Sequence, residues 1–378
     1  MSVYLDWAAT ALPDRDVLLA SVDAALSGYA NPSSVHQDGK VAALLLSGAR
    51  DKCARALGVR SETLIFTSGG TESNHLPMLA LLQRPVRGTI AVSAIEHPAI
   101  LEQAKMLECA GWKTLIIPVT KEGFVTSEAV LATMRDDTAY VAVMAVNNET
   151  GAIQPIREIA ADLLARCAGK KKPHFHVDAV QAAGKVTLDL SIPGLDSASI
   201  SAHKLRGPRG IGLLYLSHRI EPFIRGGGQE SGFRPGTENL AGAFALSQCL
   251  EISARMNLEP QARELMKQVI QSLKSINGIS LIPESRTDED PRFSPYIAQF
   301  TNKGIPGEVL VRALSDLEIF ISTGSACSSK KKNRPVLQAM NVPPALQQNA
   351  FRISIGSETT MEEIEILSNA LRSLVSGL

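Results

Sequence analysis

The sequence predicts an α/β fold in which a mostly parallel, seven-stranded sheet is followed by a smaller α+β unit. Short β-rich runs alternate with longer helical patterns through the middle of the chain, as βαβ units require. One run, Ala139–Val146, is apolar throughout, as in a strand covered on both faces. After the glycine run Gly226–Gly228 the pattern changes to long helices, marking a second unit.

Taken in order, the strands are expected at Leu64–Thr67, Gly88–Ser93, Thr114–Pro118, Ala139–Val146, His174–Asp178, Ser197–Ser201 and Gly212–Leu216. Pro98–Ala110 and Pro155–Ala168 read as crossover helices. Asn239–Met256 is strongly helical, Pro260 interrupts, and Gln261–Ile276 resumes at helical spacing. This stretch is the connector between a large domain, residues 14–257, and a small one, residues 1–13 with 258–378. Asp288–Ser294 is a polar, Pro-bearing loop, and Val309–Leu317 and Thr360–Leu374 read as helices. The length of 378 residues suits this division at about 150 residues per domain.

Composition excludes several classes of protein. Lys+Arg and Asp+Glu are both 38, so the basic excess of a nucleic-acid binder is missing and no direct nucleic-acid contact is expected. The Lys triplets Lys170–Lys172 and Lys330–Lys332 read as solvated loops. Hydrophobic residues at 45% and charged residues at 20% belong to a folded globular chain. Five cysteines without metal-ligand spacing disfavour a disulfide or zinc framework, so no metal is expected and a reducing compartment is. Asp6 breaks the first apolar stretch and no basic segment precedes it, unlike a signal peptide. No apolar run of membrane-spanning length occurs. A soluble, cytoplasmic protein is the expectation.

Six segments could carry chemistry. In FTSGGTESNHL, Ser68, Gly69, Gly70 and Thr71 follow a strand and open a helix, where backbone N–H groups can hold a phosphate; a capped helix start is the alternative. In HFHVDAVQAAGK, Asp178 ends an apolar strand, where open α/β sheets bind ligands, with Gln181 three residues on. Asp178 could pair with a protonated heterocyclic nitrogen or simply start a turn. In SASISAHKLRGPRGIG, a strand delivers Ser201, His203 and Lys204 to a turn; Lys204 is either a snorkelling residue or a Schiff-base amine. Together these are the parts of a pyridoxal phosphate site, and His97, in IEHPAI, supplies a ring to cover the cofactor. Finally, STGSACSSKKK places Cys327 among small residues before three lysines, where a thiolate is favoured. The other cysteines, Cys53, Cys109, Cys167 and Cys249, fall in helical patterns and are expected to be buried and inert. Arg352, in FRISIG, could bind a substrate carboxylate or make a structural ion pair.

In order, VYLDWAAT, ANPSSVH, FTSGGTESN, IEHPAI, VNNETGAIQPI, HVDAVQAAGK, SAHKLRGPRGIG, GGGQESGFRPGTEN, STGSACSS and FRISIG resemble the motifs of cysteine desulfurases, pyridoxal phosphate enzymes of the class V aminotransferase superfamily. The Cys327 motif is similar to the subgroup with a long mobile cysteine loop. The resemblance implies a fold-type I architecture and a role for each matching residue. Lys204 would join the cofactor, Asp178 would pair with its ring nitrogen, and His97 would stack on the ring and assist proton transfer. Asn148 and Gln181 would contact the phenolic oxygen. Gly70, Thr71, Ser201 and His203 would hold the phosphate, with Thr237 reaching in from the partner subunit of a homodimer. Arg352 would bind the carboxylate of L-cysteine.

The reaction so implied passes through an external aldimine to L-alanine and a Cys327 persulfide, handed to a sulfur-acceptor protein in iron–sulfur cluster assembly or tRNA thiolation. Departures are Gly70 in place of a common Ala, His75 and Pro77 in the helix after it (Pro77 being expected near the first turn), and a basic cysteine loop. A chain end at Leu378, soon after the last helix, leaves the scaffold partner open. A selenocysteine lyase, or a degenerate scaffold subunit, is the competing reading; retention of Cys327 and Lys204 argues against both.

Overall fold

The computed structural model describes residues 2–324 and 334–376, so Cys327 and Lys330–Lys332 lie outside the described residues. The chain begins with β1 (Val3–Tyr4), α1 (Arg15–Ser27) and α2 (Gln37–Leu57). Then come β2 (Leu64–Thr67), α3 (Gly70–Ala80), β3 (Thr89–Ser93), α4 (Pro98–Cys109), β4 (Lys113–Ile117) and α5 (Ser127–Thr133). They are followed by β5 (Thr138–Ala142), α6 (Ile156–Arg166), β6 (His174–Asp178), β7 (Ser197–Ser201), β8 (Gly212–Leu216) and α7 (Leu240–Met256). The last third holds α8 (Glu259–Lys274), β9 (Ile279–Ile282), β10 (Ile297–Asn302), α9 (Gly307–Ser315) and β11 (Ile319–Phe320). It ends with α10 (Pro335–Ala339), α11 (Pro344–Gln348), β12 (Ala350–Ser354) and α12 (Met361–Ser376).

Seven strands form one sheet in the order β2-β8-β7-β6-β5-β3-β4, parallel except for β8, which is antiparallel to both neighbours. The chain moves outward from β3 to β4, then returns to lay β5 on the other side of β3. Strand order therefore reverses there, and it is at the carboxyl ends beside such reversals that open α/β sheets bind ligands. Apolar residues such as Phe66, Val141, Phe175, Val177, Ile200 and Leu213 form the main core with residues of α2 and α7. No helix among the described residues is long and apolar enough to cross a membrane.

A second core gathers Val3 and Leu5 with Met266, Leu281, Phe300 and Ile353. It covers the antiparallel sheet β12-β10-β9 and the two-stranded parallel ladder β1-β11. The segment after β1 then runs back to the large sheet. Ser354 N–H bonds the Leu5 carbonyl at 2.9 Å, and Ala11 N–H bonds the His203 carbonyl at 2.9 Å.

Three local expectations need correction. The run Ala139–Val146 is buried as expected, but regular pairing stops at Ala142. Beyond it Ala145 N–H still bonds the Asp178 carbonyl at 2.8 Å, while Val146 pairs with Ile153 in a tight return. Pro260 does not interrupt a helix; it occupies the first turn of α8, where its missing N–H is no loss. Pro77 lies well inside α3 rather than near its start, so that helix loses one internal hydrogen bond.

Candidate active site

The Gly69–Gly70 turn, Asp178, Ser201 and Lys204 lie at or just beyond the carboxyl ends of large-sheet strands. Between β2 and α3, Gly69 has φ +151°, and Gly70 is packed so closely that a Cβ there would come 2.8 Å from Val180 Cγ2 and 3.5 Å from Ser201 Cβ. The glycine turn and Ser201 thus adjoin, at a helix start whose first N–H groups have no intrahelical acceptors. Glu72 caps the turn by accepting from the Ser68 N–H, and Arg234 donates to Glu72 Oε1 at 3.0 Å. Thr71 is exposed.

Alternation gives β6 and β7 a polar face. His174, His176 and Asp178 stand on it, beside Ser197, Ser199 and Ser201, while Phe175, Val177, Ala198 and Ile200 enter the main core. Asp178, 6% exposed, accepts from Asn74 Nδ2 at 2.8 Å and from the Val180 N–H at 3.0 Å. Ser199 Oγ is buried without a partner.

Lys204 ends the short 3-10 turn after β7. Its Nζ donates to the carbonyls of Ala8 and Ala9, at 2.6 Å each. Gln181 is spanned between two groups, donating to the Ala8 carbonyl at 2.9 Å and accepting from Lys185 Nζ at 3.1 Å. Burial, with the nearby charges of Lys204 and Arg352, lowers the Lys185 amine to about 7. His203 meets Thr10 Oγ1 at 3.2 Å; burial first, then Lys204, Lys185 and Arg209, bring its imidazole down to about 4.

His97 caps the N-terminus of α4, its Nδ1 accepting from the Ala99 N–H at 3.1 Å. The proton of the neutral ring is thereby fixed on Nε2. Burial lowers its pKa, Asp178 opposes that shift, and Lys204 adds to it. Beneath it, Glu96 is fully enclosed, with Oε1 bonded by Ser93 Oγ at 2.6 Å and the Met144 N–H at 2.7 Å and Oε2 unpartnered. Burial pushes its carboxyl up to about 8, so it carries a proton at neutral pH.

Asn147 organises the turn after β5 by accepting from Glu149 N–H, Thr150 N–H and Thr150 Oγ1, and Asn148 stands beside it. The Asn148 carbonyl receives Arg352 Nη1 at 2.7 Å. Arg352 Nη1 also reaches the Gly324 carbonyl at 3.2 Å, Nη2 bonds Asp6 Oδ1 at 2.6 Å, and Nε is buried with no partner among the described residues. Of the two readings of Arg352, the structural ion pair is seen with Asp6.

Lys204, Asp178, His97, Gln181, Ser201, His203 and Gly70 therefore gather near the carboxyl edge of the large sheet, and Asn148 is tied to Arg352 of the small sheet. Thr237 is exposed, on the loop before α7. Cys327 lies outside the described residues. The other cysteines do not share one fate. Burial takes Cys53 and Cys249 up to about 12, but Cys167 is half-buried and Cys109 is exposed at the end of α4, against expectation. The sequence reading missed Asp6, Asn74, Glu96, His176, Lys185 and the Ala8 and Ala9 carbonyls. Only His176 carried a signal, as the middle member of a period-two series ending in Asp178.

This architecture and its strand-edge groups define a class: the chain belongs to the aminotransferase class-V family, whose model matches residues 3–367. More particular likenesses span its full length. It is 38% identical to "NifS/IcsS protein homolog" of Lactobacillus delbrueckii subsp. bulgaricus, covering 96% of this chain and 94% of that protein. It is 36% identical to "Cysteine desulfurase IscS" of Dictyoglomus turgidum, covering 100% and 95% respectively. A solved structure titled "NIFS-LIKE PROTEIN" superposes with a TM-score of 0.90 at 33% identity, covering 100% of both chains. The large, mostly parallel sheet with a smaller antiparallel one is thus the class-V fold.

Proposed function

We infer that this protein is a cysteine desulfurase, dependent on pyridoxal phosphate, which takes sulfur from L-cysteine for iron–sulfur cluster assembly or tRNA thiolation. The observation that carries the reading is the meeting of Lys204, Asp178 and the Gly69–Gly70 turn at one sheet edge, in a chain similar over its whole length to proteins named cysteine desulfurase.

The residues present fit the cofactor. Gly70, Thr71, Ser201 and His203 would hold its phosphate, with Thr237 of the partner subunit. Asp178 would face the ring nitrogen, Asn148 and Gln181 the phenolic oxygen, and Lys204 the aldehyde carbon. A Cβ at Gly70 would push into Val180 beside Ser201, so the small residue keeps the turn close to that hydroxyl. When bound, pyridoxal phosphate supplies an electron sink for removal of a substrate α-proton and cleavage of the bond to sulfur. The Ala8 and Ala9 carbonyls hold the Lys204 amine where it can take or return a proton. His97, protonated on Nε2 and anchored at Nδ1, covers the site. Arg352 offers Nε–H to the substrate carboxylate. Cys327 thiolate attacks the sulfur of L-cysteine: the new S–S bond makes a persulfide, the C–S bond breaks, and carbon keeps that electron pair and takes a proton to give L-alanine.

We also propose a cytoplasmic homodimer that serves a sulfur-acceptor protein. Leu19, Val22 and Leu26 of α1, Tyr29, Val35 and Leu44 are large side chains left exposed on neighbouring segments, which supports a covered face in a dimer. The second core supports dividing the chain into residues 14–257 and residues 1–13 with 258–378.

The purified protein should be yellow, and with L-cysteine under reducing conditions should yield alanine and sulfide in equal amounts. Lys204→Ala should lose the visible absorbance band. Cys327→Ser should keep the band and lose sulfide release. A colourless protein that could not be reconstituted with pyridoxal phosphate would defeat the reading, and parent-rate sulfide from Cys327→Ser would remove Cys327 from its role.

A further inference from the structure

Behind Asp178 the polar face of β6 carries a continuous hydrogen-bonded chain that the reaction as described does not use. Asn74, from α3, donates Nδ2 to Asp178 Oδ2 at 2.8 Å and turns Oδ1 to His176 Nε2, also at 2.8 Å. His176 Nδ1 meets Ser197 Oγ at 2.7 Å, and Ser197 Oγ meets His174 Nε2 at 2.7 Å. Three of the linking groups are shielded from water, Asn74 at 1% exposure and His176 and Ser197 at 0%, while His174, at the outer end, is partly exposed. Tyr140 closes the side of the column, its ring centroid 5.6 Å from that of His174 and 6.0 Å from that of His176.

The chain has only one consistent direction. An ionised Asp178 accepts and cannot donate, so the Asn74 amide must present nitrogen to it and oxygen to His176. Nε2 of His176 must then carry the proton. Burial keeps that imidazole neutral, bringing it down to about 3, so its Nδ1 is bare and accepts from the Ser197 hydroxyl. Ser197 oxygen in turn accepts from His174 Nε2–H; His174, lowered by burial to about 4, is neutral too. Reversing any one member from Asn74 to Ser197 would set two acceptors, or two donors, face to face in a buried site, and buried groups left unpaired are strongly disfavoured.

We propose that Asn74 and His176 are positioning residues for Asp178, the chain through Ser197 to His174 locking its carboxylate in the orientation that receives a protonated ring nitrogen. The proposal rests on the pyridoxal phosphate reading of the site. Asp178 Oδ2 is fixed by Asn74 and Oδ1 by the Val180 N–H, so the carboxylate cannot swing about its χ2 axis without losing a bond at each end. The remaining lone pairs stay available to the ligand. Asn74 alone would not suffice, because a terminal amide with no partner on its oxygen is free to rotate; His176 supplies that partner.

The test uses cofactor-free protein titrated with pyridoxal phosphate, together with ¹⁵N-histidine NMR of the same protein. Asn74→Ala and His176→Phe should each weaken pyridoxal phosphate binding about tenfold, the scale of one lost hydrogen bond to a charged group. Glutamine places an amide nitrogen near the position of Nε2, so His176→Gln should restore most of the affinity. A packing role alone would lower the melting temperature of all three variants and leave the affinity of the folded protein unchanged; that result overturns the proposal. NMR of the parent should show His174 and His176 as neutral Nε2–H tautomers that do not titrate between pH 5 and 8. A proton on Nδ1 of His176 overturns the proposal even if no variant folds. Failure of the parent itself to bind pyridoxal phosphate would instead defeat the cofactor reading, and the positioning role with it.

Discussion

Replacing Arg352 by lysine separates the two functions that meet in its guanidinium. The side chain, 2% exposed, serves Asp6 Oδ1 at 2.6 Å and the carbonyls of Asn148 and Gly324 at 2.7 and 3.2 Å. A lysine keeps the charge opposite Asp6, but its single ammonium cannot follow the planar fork to all three acceptors. Losing two bonds from a charged donor, at about 1.5 kcal/mol each, puts the cost near 3 kcal/mol. At roughly 2 °C per kcal/mol for a large chain, the cofactor-free protein should melt about 6 °C lower by circular dichroism. The same change removes Nε–H, so KM for L-cysteine should rise tenfold or more while kcat falls less. An unchanged KM with a lowered melting temperature would reduce Arg352 to a structural partner of Asp6. An unchanged melting temperature would refute the reasoning about its three acceptors.

Two further outcomes follow from buried carboxyls. Glu96 has a folded pKa raised to about 8 by burial, above that of an unfolded glutamate, so its stabilising contribution is complete below about 4.5 and is lost as pH rises through 8. Glu96→Gln, which mimics the protonated form, should flatten that decline, and parallel melting curves of parent and variant from pH 5 to 9 would contradict it. Glu230 receives Arg50 through two bonds of 2.7 Å and the Phe66 N–H at 2.9 Å, tying the loop before α7 to β2. Glu230→Ala strands a mostly buried guanidinium and should lower stability by about 3–5 kcal/mol, read as a shifted urea midpoint; a midpoint within error of the parent would show the tie to be dispensable.

The strands of the large sheet were readable because β2, β6, β7 and β8 are short runs with sharp ends, and their burial matches their apolar or alternating pattern. The groups that carry chemistry were readable where a strand end fixed their place, as with Asp178 and Lys204. What escaped depends on distance along the chain. Nothing local in VYLDWAAT says that Ala8 and Ala9 will offer carbonyls to a lysine almost two hundred residues later, because a backbone oxygen has no sequence signature. Asn74 was hidden for another reason: on α3 its neighbours give no period that singles it out. Glu96 looked like an ordinary charged neighbour of His97, and only burial shows that it holds a proton. Pro77 and Pro260 show the reverse error, since proline marks a helix start or an interior break according to where the first turn falls.

The segment from Val3 to Asp14 connects β11 and β12 to Lys204 and Arg206, and this has a consequence for how the molecule comes into being. On the ribosome these residues emerge long before their partners, because Val3, Leu5 and Asp6 bond Glu318, Phe320, Ser354 and Arg352, the Asp6–Arg352 pair being 346 positions apart. The large sheet can assemble while the chain is still growing, but the opening segment must wait. Contacts across so long a stretch of sequence form slowly. The site therefore acquires its carbonyl clasp on Lys204 only as the final third of the chain docks, and a newly made large sheet without that third has its strands in place but not its working edge.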